Sequence, residues 1–155
     1  MAIFAVAGAR IYIGTTAAAS SETDFAADSY TEITPAETIG DFGDTATDVK
    51  FLGIGDARAQ HLKGSFDAGQ MNLSVGRDDT DPGQIACLAA LTSPLDFNFK
   101  ILWNNAATLM GTKGVTYFRG KVMSKKNVNG TGPDNVMKRE FTIGINTAQV
   151  EVEPT

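Results

Sequence analysis

The amino-acid sequence predicts a mainly β protein, an antiparallel β-sandwich with one flanking α-helix, and three observations carry that prediction. Residues 95–103 place Leu95, Phe97, Phe99, Ile101 and Trp103 on one side of an extended backbone and Asp96, Asn98 and Lys100 on the other, because strand side chains alternate with period two. A second long run, near the C-terminus, puts Met137, Phe141, Ile143 and Ile145 on one parity and Lys138, Glu140 and Thr142 on the other. One stretch alone, residues 82–92, joins strong helix-start signals to a helical apolar period. Strands with one apolar face stay soluble only when something covers it, so the sheets must pack on each other and under that helix.

Taken in order, residues 9–15 alternate enough to form a first strand. Residues 17–28 read as helix or loop: Ser20 or Ser21 can cap a short helix, and Glu22 and Asp24 favour its N-terminus. Residues 30–34 and 37–43 are short strand pieces broken by Pro35, which has no ladder donor. Residues 44–64 are expected to protrude as a long loop or hairpin. Val49, Phe51, Leu52 and Ile54 are apolar there, but Gly53, Gly55, Asp56, Arg58 and Lys63 surround them. A loop of that length is usually functional or disordered, and its apolar content favours docking against a partner.

Residues 66–76 form a strand in which Met71, Leu73 and Val75 alternate with Gln70, Asn72 and Ser74. Asp81 then serves as N-cap, Pro82 fits the first helical position and Gln84 completes a capping box. Ile85, Leu88 and Leu91 share one face of the helix that follows, the expected lid for part of the sheet. Ser93 and Pro94 stop it, and residues 104–114 make a polar turn region. In residues 115–122, Val115 and Tyr117 lie on one parity while Phe118 and Val122 lie on the other, which a bulge near Phe118 would reconcile. Residues 127–135 are dense in turn formers, and Val150 with Val152 extends the last strand after a break near Asn146.

Composition bounds the function. At 155 residues the chain is expected to be one domain, residues 1–155, able to bury a real core. The one cysteine, Cys87, has no internal partner for a disulfide. Ala2 to Ala9 is too short an apolar run for a signal peptide, and Arg10 interrupts it. With no apolar segment of the ~20 residues a membrane span needs, the expectation is a soluble protein made in a cytoplasm, without membrane insertion. The formal net charge of −5 divides unevenly: residues 1–81 carry 13 acidic and 5 basic side chains, residues 82–155 carry 5 and 8. Opposite signs on the two parts suit head-to-tail association, and an acidic total disfavours tight DNA binding.

The inventory for chemistry is thin. His61 is the only histidine and lies in the charged part of the protruding segment, so no multi-histidine metal site exists in one chain. Cys87, on an Ala-rich helix with no adjacent base, reads as a small buried hydrophobe. Asp78, Asp79 and Asp81 fail as a calcium loop, because Gln84 and Ala90 stand where Gly and Glu are required. Gly130, Thr131 and Gly132 lack the remaining glycine and the helix of a dinucleotide fingerprint, and residues 111–114 lack a P-loop's first glycine and final hydroxyl. Tyr117, Phe118 and Arg119 are better read as strand than as base-stacking residues. The sequence offers no catalytic group, cofactor site or metal site, and enzyme activity is disfavoured.

In order of parts the chain resembles the major tail tube protein of long-tailed bacteriophages. The resemblance rests on the first strand, the protruding 44–64 segment, the strand through Met71 to Val75, the helix from Pro82, the alternating strand at 95–103, and the closing VTYFRGKV (115–122) and VMKREFTI (136–143) pair. Its most specific element is Phe118, Gly120 and Val122 ahead of a glycine loop and a closing strand. Related tubes occur in contractile tails and type VI secretion. The resemblance implies a tail-tube fold without an appended immunoglobulin-like domain, and hexameric rings stacked into a hollow tube in the virion tail, assembled in the host cytoplasm. It also implies partners: further copies of the chain, tail tip and terminator proteins, a tape measure protein, and genomic DNA passing without specific binding. Assembly contacts are expected from Val49, Phe51, Leu52, Ile54, Arg58 and His61. Bore- or surface-facing candidates are Gln70, Asn72, Ser74, Asp96, Asn98, Lys100 and Glu140. The competing reading is a small ligand- or carbohydrate-binding β-sandwich using Trp103, Tyr30 and the aspartate cluster.

Overall fold

A computed structural model describes residues 3–155, so Ala2, at the head of the N-terminal apolar run, lies outside the described residues. The elements are β1 (Arg10–Ile13), α1 (Glu22–Ala26), β2 (Thr31–Glu32), β3 (Ala36–Ile39), β4 (Thr45–Phe51), β5 (Gln60–Asp67), β6 (Gln70–Gly76), α2 (Pro82–Thr92), β7 (Phe97–Leu102), β8 (Val115–Val128), β9 (Lys138–Ile145) and β10 (Val150–Val152). Every strand pairing is antiparallel.

The layers of the sandwich belong to one continuous sheet in the order β2-β1-β7-β8-β9-β6-β3, with β10 also paired to β8. The sheet curls until β1 lies against β3, and α2 packs on β8, β1 and β2. Alternation fills the enclosed space: Ile11 and Ile13 from β1, Met71, Leu73 and Val75 from β6, Phe99 and Ile101 from β7, and Phe141, Ile143 and Ile145 from β9 form one buried cluster. Burying such side chains stabilises by roughly 1.5–3 kcal/mol each. β4 and β5 stand apart as a two-stranded sheet of their own.

α2 begins as its cap chemistry dictates. The Asp81 carboxylate accepts from the Gln84 amide at 3.0 Å and from the Thr34 amide and hydroxyl at 3.1 and 2.7 Å. Its buried face differs from the Ile85–Leu88–Leu91 stripe. Ile85 is half exposed, and Gly83, Gln84, Cys87 and Ala90 face inward instead. Two requirements explain the rotation. At Gly83 the helix runs so close to β2 that a Cβ would overlap the Glu32 carbonyl oxygen and the Ile33 backbone. The Gln84 amide must also donate to the carbonyls of Thr34 and Gly76, both at 2.7 Å, because buried carbonyls need partners.

The bulge in β8 falls between Val122 and Ser124, not near Phe118. β7 pairs regularly with β8 through Phe118. Tyr117 and Phe118 are both buried because both faces of the strand are covered: Phe118 stacks on Phe99 at 5.3 Å inside, and Tyr117 stacks on Phe25 of α1 at 5.4 Å outside. On β9 the core parity includes Arg139, which is buried and donates to Asp79 and to the Gln84 side-chain oxygen, tying the sheet to the start of α2.

Candidate assembly surface

The β4–β5 hairpin separates its side chains by chemistry. The register pairs Val49 with Leu62 and Phe51 with Gln60 on one face, and Asp48 with Lys63 and Lys50 with His61 on the other. Between the Ala46–Phe66 and Asp48–Lys63 pairs β5 carries one extra residue, at Gly64 and Ser65 opposite Thr47, so the register places Phe66 opposite Ala46, on the side of Asp48 and Lys50. On the charged face His61 Nδ1 is 2.9 Å from both Asp48 carboxylate oxygens. On the apolar face Val49 and Leu62 are exposed and Phe51 is 60% exposed; Leu52 and Ile54 at the tip are also exposed, Ile54 completely, as is Phe66 on the other side near the base. A two-stranded ribbon is marginal on its own in water, and this one leaves its apolar side chains open to solvent. Leu62 was not among the sequence candidates, although its cross-strand position opposite Val49 puts it on the same face.

A second uncovered face belongs to the body. β6 carries Gln70, Asn72 and Ser74 outward, opposite Gly144, Thr142 and Glu140 of β9, while Ser124 and Lys126 of β8 continue the rows beyond β9 and Thr38 of β3 lies beside Ser74. Gln70, Asn72, Ser74 and Glu140 thus converge on one polar surface. There the Thr142 hydroxyl donates to Asn72 at 3.1 Å, and Lys138 pairs with Glu37 at 2.9 Å.

Asp96, Asn98 and Lys100 belong elsewhere, and Asn98 is a correction. Its side chain is fully buried, because the segment between β1 and β2 folds back across the outer side of β7. Asn98 Nδ2 donates to the Ala17 carbonyl and the Asp28 carboxylate, each at 2.9 Å. Asp28 also accepts from the Thr15 amide at 2.8 Å and hydroxyl at 2.6 Å. Partial burial works against the Asp28 charge, but the Thr15 and Asn98 hydrogen bonds outweigh it and hold the carboxyl below the ordinary range. Lys100 lies over the rings of Tyr12 and Tyr30, 4.9 and 5.5 Å from their centroids. The Tyr30 hydroxyl donates to the Phe25 carbonyl at 2.8 Å, and burial raises its pKa. Asp96 is half-buried and accepts from Lys121 at 2.7 Å and Asn146 at 2.9 Å; the Lys121 hydrogen bond is the main reason its carboxyl titrates low.

The contact set of the ligand-binding reading is occupied internally. Trp103 donates its indole N–H to Thr116 at 2.8 Å, and the hollow before it is lined by Asn105, Glu151 and Glu153, without Tyr30 or the aspartates. Asp79 is held low by hydrogen bonds from Arg77 and Arg139. Cys87 is buried, which pushes its thiol up to about 12. Among the described residues no group of His, Cys, Asp and Glu is arranged to hold a metal ion, and no helix is long and apolar enough to cross a membrane.

No protein-family model and no curated protein sequence matches the chain. Solved structures do. A chain of the anti-feeding prophage baseplate, solved with six-fold symmetrisation, superposes with a TM-score of 0.72 at 13% identity over 99% of this chain and 98% of that one. The SPP1 tail tube gives 0.65 at 11% identity, covering 94% of this chain and 76% of that one. The chain has the fold of tail tube proteins. A sheath/tube terminator structure of an extracellular contractile injection system gives 0.68 at 10% identity over 98% of each chain, and an Hcp protein gives 0.53 at 12% over 94% and 98%. The tail-tube fold therefore recurs at identities too low to fix individual residues, and the surfaces of this chain must be judged on their own chemistry.

Proposed function

We propose that this chain is a structural subunit of a hollow tail tube, acting as a single tube domain whose copies form six-membered rings that stack through the β4–β5 hairpin. The observation that carries the reading is the uncovered apolar side of the ribbon, Val49, Phe51 and Leu62, continued at its tip by Leu52 and Ile54. Arg58 and His61 lie on the same hairpin segment, as a polar margin to that contact. Structural neighbours from a tail tube and from a sheath-tube complex support a tubular assembly. The same reading places the protein in a virion tail, assembled in the host cytoplasm, with tail tip, terminator and tape measure proteins as partners. It makes the tube a conduit for genomic DNA, and no step of it requires a catalytic group.

In the same proposal the Gln70, Asn72, Ser74 and Glu140 face lines the bore. It is polar, open and built from paired strands, whereas the outer side of β7 is already covered by residues of its own chain. The test is assembly. Purified protein examined by electron microscopy and sedimentation at rising concentration should grow into rings and tubes by mass action. Deleting residues 51–58 should leave a folded, soluble monomer that forms neither. Tubes of full length from the deletion variant would overturn the hairpin's role, and a wild-type chain that stays monomeric at every concentration would overturn the tube reading.

A further inference from the structure

The lysines of the proposed bore face are oddly placed for a conduit that must release a nucleic acid. Lys121, Lys126 and Lys138 all emerge on the outer side of the β8–β9 ladder. Two of them pair with a carboxylate from another strand or loop, and Lys126 has one opposite it across the ladder. Lys121 Nζ is 2.7 Å from Asp96, and Lys138 Nζ is 2.9 Å from Glu37. Lys126 is the direct cross-strand partner of Glu140, a position at which Cβ atoms lie about 4.5–5.5 Å apart and opposite charges attract. The side chains between them, Thr38, Asn72, Ser74, Ser124 and Thr142, are uncharged.

We propose that Glu37, Glu140 and Asp96 mask the lysines of this face, so that a polyanionic cargo, a nucleic acid duplex, passes along it without being held. The proposal rests on the reading that the face lines the bore. Retention of a duplex requires cations that neutralise phosphates and release their counterions. A lysine already matched to a neighbouring carboxylate gains little from a phosphate, because exchanging one anion for the other leaves the displaced carboxylate beside the phosphate with like charge. A uniformly acidic wall would also prevent retention, but it would set like charges against each other around each ring. Matched pairs avoid both costs, and they give Lys138 a place in a conduit wall.

The experiment uses unassembled protein at low concentration and a short fluorescent DNA duplex, read by anisotropy over a salt titration. Wild type should show no binding. Glu37→Gln together with Glu140→Gln should bind at low salt, with log affinity falling against log salt at a slope of about −2, the value for two freed lysines. Adding Lys126→Gln and Lys138→Gln should abolish that binding, and circular dichroism with urea titration should show all variants folded. Masking is overturned if wild type binds as tightly as the double glutamine variant, if the double variant fails to bind, or if its binding survives loss of the two lysines. The bore assignment is tested separately by Asn72→Cys. A bulky maleimide should label this variant in monomers and not in intact tubes, and labelling inside intact tubes would overturn the assignment whatever the anisotropy shows.

Discussion

The outer side of β7 and the β4–β5 hairpin start from the same pattern, polar residues alternating with apolar ones on a strand, and end in opposite states. On β7 the polar side is roofed by residues 14–30 of the same chain. Asp28 gathers donors from Thr15 and Asn98, Phe25 lies flat on Tyr117, and Arg119 donates to the Thr16 carbonyl at 3.2 Å. On the hairpin no described residue returns to bury Val49, Phe51 or Leu62. The difference teaches that alternation identifies two faces without saying which is finished intramolecularly. A polar face can be buried when its hydrogen bonds are met at home, and an apolar face can be left open when its partner is another molecule.

The comparison breaks most visibly if the roof is removed. Phe25→Ala deletes a fully buried ring stacked on Tyr117 and should lower monomer stability by about 3–5 kcal/mol in urea titration. Asn98→Ala should cost less, about 1–3 kcal/mol, because it removes the side-chain donor to the Ala17 carbonyl and one of the two donors to Asp28 Oδ2. Phe51→Ser on the hairpin should change monomer stability by no more than about 0.5 kcal/mol, as surface substitutions usually do, and yet abolish tube growth in sedimentation. A hairpin variant as destabilised as Phe25→Ala would mean that the hairpin packs on its own body, and the contrast between the regions would be lost.

These effects also show which parts of the molecule were readable from the chain. The α2 start was legible because capping is local: Asp81, Pro82 and Gln84 lie within four positions, and the Asp81 carboxylate does accept from the Gln84 amide. The strands carrying Met71 to Val75 and Phe141 to Ile145 were legible because each has one dry face. The inward face of α2 was not, since it is set by a close approach at Gly83 and by two distant carbonyls that need Gln84. Asn98 was misplaced for the same reason: the segment that covers it lies some 70 positions earlier, and its Asp28 partner is found only once the chain folds. Arg139 shares parity with Phe141 and Ile143, a signal that reads as an interruption until Asp79 and Gln84 are seen to receive it. The hairpin was anticipated through Val49, Phe51, Leu52 and Ile54, but Leu62, which pairs with Val49 on the same face, lies on the return strand.

The smallest expected effect sharpens the comparison by pH. Asp28 has a folded-state pKa below the ordinary 3.8, and that of Asp96 is likewise lowered by Lys121 and Asn146. A carboxylate with a depressed folded pKa contributes stability that is fully present above its unfolded pKa and is lost as pH falls through the folded one. The covered face should therefore weaken only below about pH 4. Asp28→Asn keeps one acceptor but presents an amide where Thr15 and Asn98 donate, so it should be less stable than wild type at neutral pH. The gap should close as the wild-type carboxyl takes up its proton. Urea midpoints of both proteins from neutral to about pH 3 measure this directly: a gap that stays constant across the range would mean that the roof over β7 is held by Phe25 and Tyr117 alone, and that the Asp28 charge contributes nothing to closing it.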